Sequence, residues 1–271
     1  MLKEIPFSKT KIYRYDFVRV ENINQIADFT LANINKLDFK NNYLPIILPI
    51  NVDLLIKLEN NYPDLKNKLQ KSFLILPDGQ PIVWSSKILS KNQPLTKRLA
   101  GSDFFPVIWN KIKEKKVKTL LIVPSEKVKN ALQKEYPQAK FFVPPYISYP
   151  KEKNKFENLI EEIYKIIVNN NIEIVLLGIG FPKQEIISIK ISEKLRKNDL
   201  NLPIFITLGA SFEFYIGEKK RAPQFIQKLG LEWFYRFLQE PRRLFKRYFI
   251  DDIKFISLFF KELRKEGKYD N

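Results

Sequence analysis

Asp78, in the tetrapeptide LPDG, closes an apolar run that begins at residue 72, and Gly79 follows it. Rigid sheet holds a carboxylate at the end of a buried strand out at the protein's rim, where catalytic side chains commonly sit. The choice of acid–base groups is narrow, since the chain has neither His nor Cys. A histidine base, a Ser-His-Asp triad, imidazole metal ligation, thiolate chemistry and disulfides are thereby excluded. Proton transfer would fall to a carboxylate, Lys or Tyr, and an aspartate is the natural general base. The same tetrapeptide also reads as an Asx turn with no chemistry.

Two further segments carry functional residue types. In GIGFPKQE (178–185), Gly178 and Gly180 let backbone approach a ligand. The helix start at Pro182–Gln184 offers unpaired N–H groups beside Lys183, which is the physics of an anion site. The alternative is a tight turn without a ligand. A dinucleotide fingerprint is not supported, because Lys183 stands where G-x-G-x-x-G needs glycine. In LAGSDFF (99–105), Gly101, Ser102 and Asp103 form another polar turn, in which Ser102 or Asp103 could simply cap a helix.

These motifs need a frame, and the hydropathy pattern supplies one. Apolar runs at 44–50, 72–77, 118–123, 140–144, 172–180 and 203–210 read as strands. Helical patterns stand between them: 51–69 with Asn51 as N-cap, 81–89 with Pro81 in its first turn, one from near Ser102, one capped by Ser125, 152–169 and 182–195. Residues 1–43 are mixed, with a short strand or two and a helix. Strands alternating with helices predict an α/β fold: a mostly parallel, Rossmann-like sheet with helices on both faces. In such sheets ligands sit at the carboxyl ends of the strands. LPDG, GIGFPKQE and LGASFEF (208–214) all follow predicted strands, so they should line one rim.

The pattern changes near residue 218. Residues 219–271 hold 14 basic and 7 acidic side chains, and 12 of the 37 aromatic residues. We divide the chain into a catalytic α/β domain (1–218) and a basic, aromatic, helical C-terminal appendage (219–271). On a helix from Pro241, Arg242, Arg243, Lys246 and Arg247 share one side and Leu244, Phe245, Tyr248 and Phe249 the other. A last amphipathic helix follows, capped by Asp251 or Asp252, with Phe255, Phe259 and Phe260 among its apolar positions. The appendage reads three ways: a packed subdomain with a solvated basic face, a nucleic-acid binder, or an element lying on an anionic membrane.

The net charge of +17 favours anionic partners, although a Lys-rich surface of biased composition accounts for it equally well. The N-terminal stretch has no apolar signal-peptide core, and no apolar run approaches the roughly 18 residues of a spanning helix. A soluble or peripheral, intracellular protein is expected.

Taken together, LPINVDLL, LPDGQPIVW, RLAGSDFF, IVLLGIGFPKQE, LGASFEFYIGEKKRAP and GLEWFYRFLQEPRRLFKRY, in that order over roughly 44–249, resemble the WecG/TagA/CpsF family of bacterial glycosyltransferases. The resemblance implies an inverting, metal-independent transfer of an N-acetylmannosamine-type or related sugar from UDP to a polyprenyl-diphosphate-linked sugar. The products would feed teichoic acid or other surface polysaccharides. It implies no cofactor beyond the UDP-sugar co-substrate, no nucleic-acid partner, and a place on the inner face of the cytoplasmic membrane. A homo-oligomer is compatible with it.

The family's base falls on Asp78. Substrate contacts are implied for Asn51, Gly79, Gly101, Ser102, Asp103, Gly178, Gly180, Pro182, Lys183, Gln184, Glu185, Gly209, Phe212 and Glu213. They are implied as well for Arg236, Arg242, Arg243 and Arg247 of the appendage, docked over the site. Three positions depart from the family pattern. Pro49-Ile50-Asn51 replaces Thr-x-Asn, Pro81 replaces the second Gly of the DG motif, and Glu213 stands where many members have Asp. A catalytically silent homologue acting as a scaffold, or a basic nucleic-acid-binding protein, are the competing readings.

Overall fold

The computed structural model describes residues 5–34, 43–223 and 254–266, together with 226, 235, 238 and 241. The appendage arginines 236, 242, 243 and 247 and the capping aspartates 251 and 252 lie outside the described residues.

The strands are β1 (Lys9–Ile12), β2 (Tyr15–Val18), β3 (Leu44–Ile50), β4 (Ser72–Pro77), β5 (Thr119–Ile122), β6 (Lys140–Phe142), β7 (Ile174–Leu177) and β8 (Ile204–Thr207). They form one sheet in the order β1-β2-β4-β3-β8-β7-β5-β6. Among the described residues, only the β1–β2 pair is antiparallel and every other pairing is parallel. The predicted α/β class with a mostly parallel sheet holds.

β3 and β4 are buried along their full length, which is why they read as unbroken apolar runs. Alternate residues still feed opposite layers. Ile46, Leu48 and Ile50 of β3, with Val175 and Leu177 of β7, face one core, while Ile47, Ile174 and Leu176 face the other. The first layer is roofed by α2 (Val52–Asn60), α3 (Pro63–Leu69), α4 (Gln80–Leu89), α7 (Lys153–Asn169) and α8 (Lys183–Lys197). The second is roofed by α1 (Ile23–Ala32), α5 (Gly101–Lys115), α6 (Glu126–Glu135) and the short α9 (Ser211–Tyr215). The last described helix, α10 (Lys254–Glu266), lies against α2 and α4, and its Phe255, Leu258, Phe259 and Leu263 pack on the first layer. Among the described residues, no helix is long and apolar enough to cross a membrane.

Two local expectations change. The single helix expected over 51–69 is two, because Pro63 cannot continue α2 and instead opens α3. The helix at LAGSDFF begins at Gly101 after Ala100, so neither Ser102 nor Asp103 is its cap. Asn51 and Ser125 do cap as expected, accepting from the N–H groups of Leu54 (2.9 Å) and Val128 (3.3 Å).

Candidate active site

The chain leaves β3 toward β4 on one side of the sheet and builds β5, β6 and β7 on the other. β8 then closes the gap between β7 and β3. That reversal puts the carboxyl ends of β4, β3, β8 and β7 side by side, where an open α/β sheet binds its ligands. The loops there carry Asp78, Asn51, Gly209 and Gly178.

Asp78 is half-buried just beyond β4. Its N–H continues the ladder to the Ile50 carbonyl at 2.8 Å, and the Leu99 N–H donates to the Pro77 carbonyl at 2.8 Å. The Gly101 N–H, first in α5, donates to Asp78 Oδ2 at 3.2 Å. A helix N-terminus therefore faces the carboxylate. Gly101 is crowded: a Cβ there would lie 3.3 Å from Ser211 Oγ and 3.4 Å from Pro49 Cγ. The starts of α5 and α9 and the end of β3 thus meet at one point beside Asp78. Gly79 is looser, its hypothetical Cβ 3.9 Å from Asn51 Cα. Asn51 is engaged through its Oδ1 as the α2 cap, so any ligand would meet its amide nitrogen.

The β7 and β8 loops are welded together. A Cβ on Gly178 would fall 2.3 Å from Phe212 Cδ2 and 3.0 Å from the Gly209 carbonyl oxygen. Gly180 and Gly209 take left-handed φ values of +75° and +54°. Gln184 clamps them: its Oε1 accepts the Gly209 N–H at 3.2 Å, and its Nε2 donates to Glu185 Oε1 at 2.8 Å. The anion cradle expected at Pro182–Gln184 is narrower than its sequence suggests. Proline has no N–H, and the Gln184 N–H is bonded to the Gly180 carbonyl at 3.3 Å. Lys183 is left to meet an anion there, its Nζ 5.7 Å above the exposed Tyr146 ring.

Several expected contact residues sit behind the rim. Phe212 is wholly enclosed and packs edge-on to Phe105 at 4.7 Å. Gln184 and Glu185 are buried as well. Asp103 lies between Arg221 Nη1 at 2.6 Å and Arg98 Nη2 at 3.3 Å. Glu213 pairs with Lys219 at 2.8 Å, and Ser102 is half-buried on the first turn of α5. Arg98 and Arg221 were not singled out from the sequence, although Arg98 stands three residues before Gly101 inside the RLAGSDFF stretch. α9 itself is anchored through Glu135, whose Oε2 accepts from Tyr215 Oη and Trp109 Nε1, both at 2.9 Å, and from Lys113 Nζ at 2.7 Å. Among the described residues, no three acidic side chains gather as a metal-ligand set would require.

Burial pushes the Glu185 carboxyl up to about 7, against the opposing hydrogen bond from Gln184. Among the described residues, its Oε2 has no hydrogen-bond partner. Because the folded chain holds this proton more tightly than the unfolded chain, Glu185 makes stability fall as pH rises from the ordinary carboxylate range through about 7. The ionised form above that range carries a penalty of up to about 3 kcal/mol. Glu185→Gln is expected to flatten this slope and raise the melting temperature at pH 8 relative to the parent. Parallel pH–stability curves for the two proteins, by thermal or urea unfolding, would contradict it.

Across residues 17–269 the chain matches the model of the glycosyl transferase WecG/TagA/CpsF family. It is 29% identical over 206 residues to a Bacillus spizizenii protein, covering 76% of this chain and 75% of that one. It is 31% identical over 188 residues to one from Bacillus subtilis (66% of each chain). A Staphylococcus aureus protein (strain MW2) is 27% identical over 201 residues, 73% of this chain and 71% of its own. All three are named N-acetylglucosaminyldiphosphoundecaprenol N-acetyl-beta-D-mannosaminyltransferase.

Proposed function

The chain belongs to the WecG/TagA/CpsF family of glycosyl transferases, and from that premise we propose that it moves an N-acetylmannosamine-type sugar from UDP to a polyprenyl-diphosphate-linked N-acetylglucosamine. The relatives' names supply the sugar and acceptor classes. The observation that carries the reading is the setting of Asp78, a strand-end carboxylate oriented by the N–H that opens α5.

In this reaction the acceptor hydroxyl oxygen attacks the anomeric carbon from the face opposite UDP. The bond from that carbon to the diphosphate oxygen breaks, configuration inverts, and the hydroxyl proton passes to Asp78. UDP leaves with an additional negative charge, which Lys183 and the backbone of the β7 and β8 loops would offset. Arg98 and Arg221 hold Asp103 at the head of α5 and so set the helix terminus that orients Asp78. The reaction as written uses no metal. Arg236, Arg242, Arg243 and Arg247 of an appendage beginning near residue 219 would contact lipid or nucleotide diphosphates, with the protein on the inner face of the cytoplasmic membrane.

The test is a UDP-release screen. The purified chain is offered UDP-N-acetylmannosamine and other UDP-hexoses, with and without a short-chain polyprenyl-diphosphate-linked N-acetylglucosamine. Acceptor-dependent release is expected with the N-acetylmannosamine donor. Release that ignores the acceptor, or none from any UDP-sugar, would overturn the proposal.

A further inference from the structure

Among the described residues, large apolar side chains stand exposed on two neighbouring helices. On α4, Trp84 and Ile88 are each 49% exposed; on α10, Ile256 is 56% and Phe260 52% exposed. Each pair is spaced i, i+4, so each forms a stripe along one helix face. The opposite face of each helix is spoken for. Ile82, Val83 and Leu89 of α4, and Phe255, Leu258, Phe259 and Leu263 of α10, pack into the first core layer. The two helices lie against each other.

Basic residues flank both stripes. Lys87 stands on the exposed face of α4, Lys91 is exposed just beyond the helix end, and Lys254, Lys261 and Arg264 are exposed on α10. Among the side chains described as exposed on these two helices, none is acidic. Bulky apolar groups interleaved with lysines, on a helix whose other side is anchored in protein, have the composition of an interfacial element.

The position of α4 adds a reason. The helix begins two residues after Asp78. At 1.5 Å per residue, Trp84 and Ile88 lie roughly 6 and 12 Å along it from its start. A sugar tethered to a lipid through a diphosphate stays within a headgroup's reach of the bilayer, so its base must work close to the membrane plane.

We propose that the Trp84–Lys87–Ile88 face of α4, with Lys91 just beyond its end and continued by Ile256 and Phe260 of α10, enters the interface of an anionic bilayer and sets the height of Asp78 above it. This rests on the lipid-linked acceptor proposed above. A second copy of the chain is the weaker occupant, because a self-complementary contact would set these cationic groups against one another.

Vesicles of phosphatidylglycerol and phosphatidylcholine with acyl-brominated lipid test it on the full chain. Bromine quenches only tryptophan that enters the bilayer, and Trp109 is buried in the core. We expect anionic vesicles to quench a component of the emission that is missing in Trp84→Phe. Trp84→Ser with Ile88→Ser should weaken vesicle binding at least tenfold and leave UDP release from the donor, measured with a water-soluble acceptor, unchanged. Quenching that persists undiminished in Trp84→Phe, or equal vesicle affinity of the double variant, would overturn the proposal while leaving the transferase reading intact. So would a change of oligomeric state in the double variant with unchanged vesicle affinity, which would assign the face to self-association. Failure of the parent to bind any vesicle would overturn it too; UDP release from the donor in the presence of the soluble acceptor reports separately on the transferase.

Discussion

Asp78→Asn is expected to lower kcat by roughly 10²- to 10⁴-fold, the contribution typical of a positioned general base. The substitution isolates basicity from shape. Asparagine keeps an oxygen for the Gly101 N–H that now donates to Asp78 Oδ2 at 3.2 Å, so the head of α5 stays oriented. What is lost is the negative charge facing that helix terminus, worth about 0.3–1 kcal/mol of stability, and the capacity to take a proton. The KM for the UDP-sugar and the affinity for UDP should therefore hardly move, and the melting temperature should fall by no more than a few degrees. Initial rates with saturating acceptor, together with calorimetric titration of UDP, separate these effects. Turnover at the parent rate would remove Asp78 from the role of base. Lost UDP binding would instead mean that the residue holds the donor.

What could be foreseen at this site depended on how local its cause is. The rim position of Asp78 was legible because a buried run ending in Asp-Gly has one geometric meaning in a parallel sheet, and β4 ends at Pro77 as expected. The caps at Asn51 and Ser125 were legible for the same reason, since each bond spans three residues. The roles that escaped notice are made by pairs distant in sequence. Asp103 looks like a free turn carboxylate until Arg221, 118 positions later, lands 2.6 Å away. Gln184 looks like a ligand contact until its side chain is found holding the Gly209 N–H. Phe212 lies in a motif read as lining the rim, but its ring is turned into the core against Phe105, a residue 107 positions earlier. The break between α2 and α3 was in fact available locally, as Pro63 interrupts the helical pattern. Apolar spacing continues on both sides of it, which masks the break.

That same contact between Gly178 and Phe212 leads to the second large effect. Gly178→Ala is expected to destabilise the chain by roughly 1–3 kcal/mol through overpacking. In a chain of this size that is roughly 2–4 °C of melting temperature per kcal/mol. The new methyl would meet the ring at 2.3 and 2.5 Å, well inside contact distance. The ring has nowhere to go, being fully enclosed and pressed edge-on by Phe105. The strain is released by moving the β7 loop away from the β8 loop, which also disturbs the Gln184 clamp and the backbone offered to the diphosphate. A raised KM for the UDP-sugar should accompany the lower melting temperature. Phe212→Leu removes the obstructing ring at the cost of a partial cavity. In a double-mutant cycle the two changes should therefore cost less together than the total of their separate costs, with a coupling of about 0.5–3 kcal/mol. Strict additivity would show that the enclosed ring is not what requires glycine at position 178.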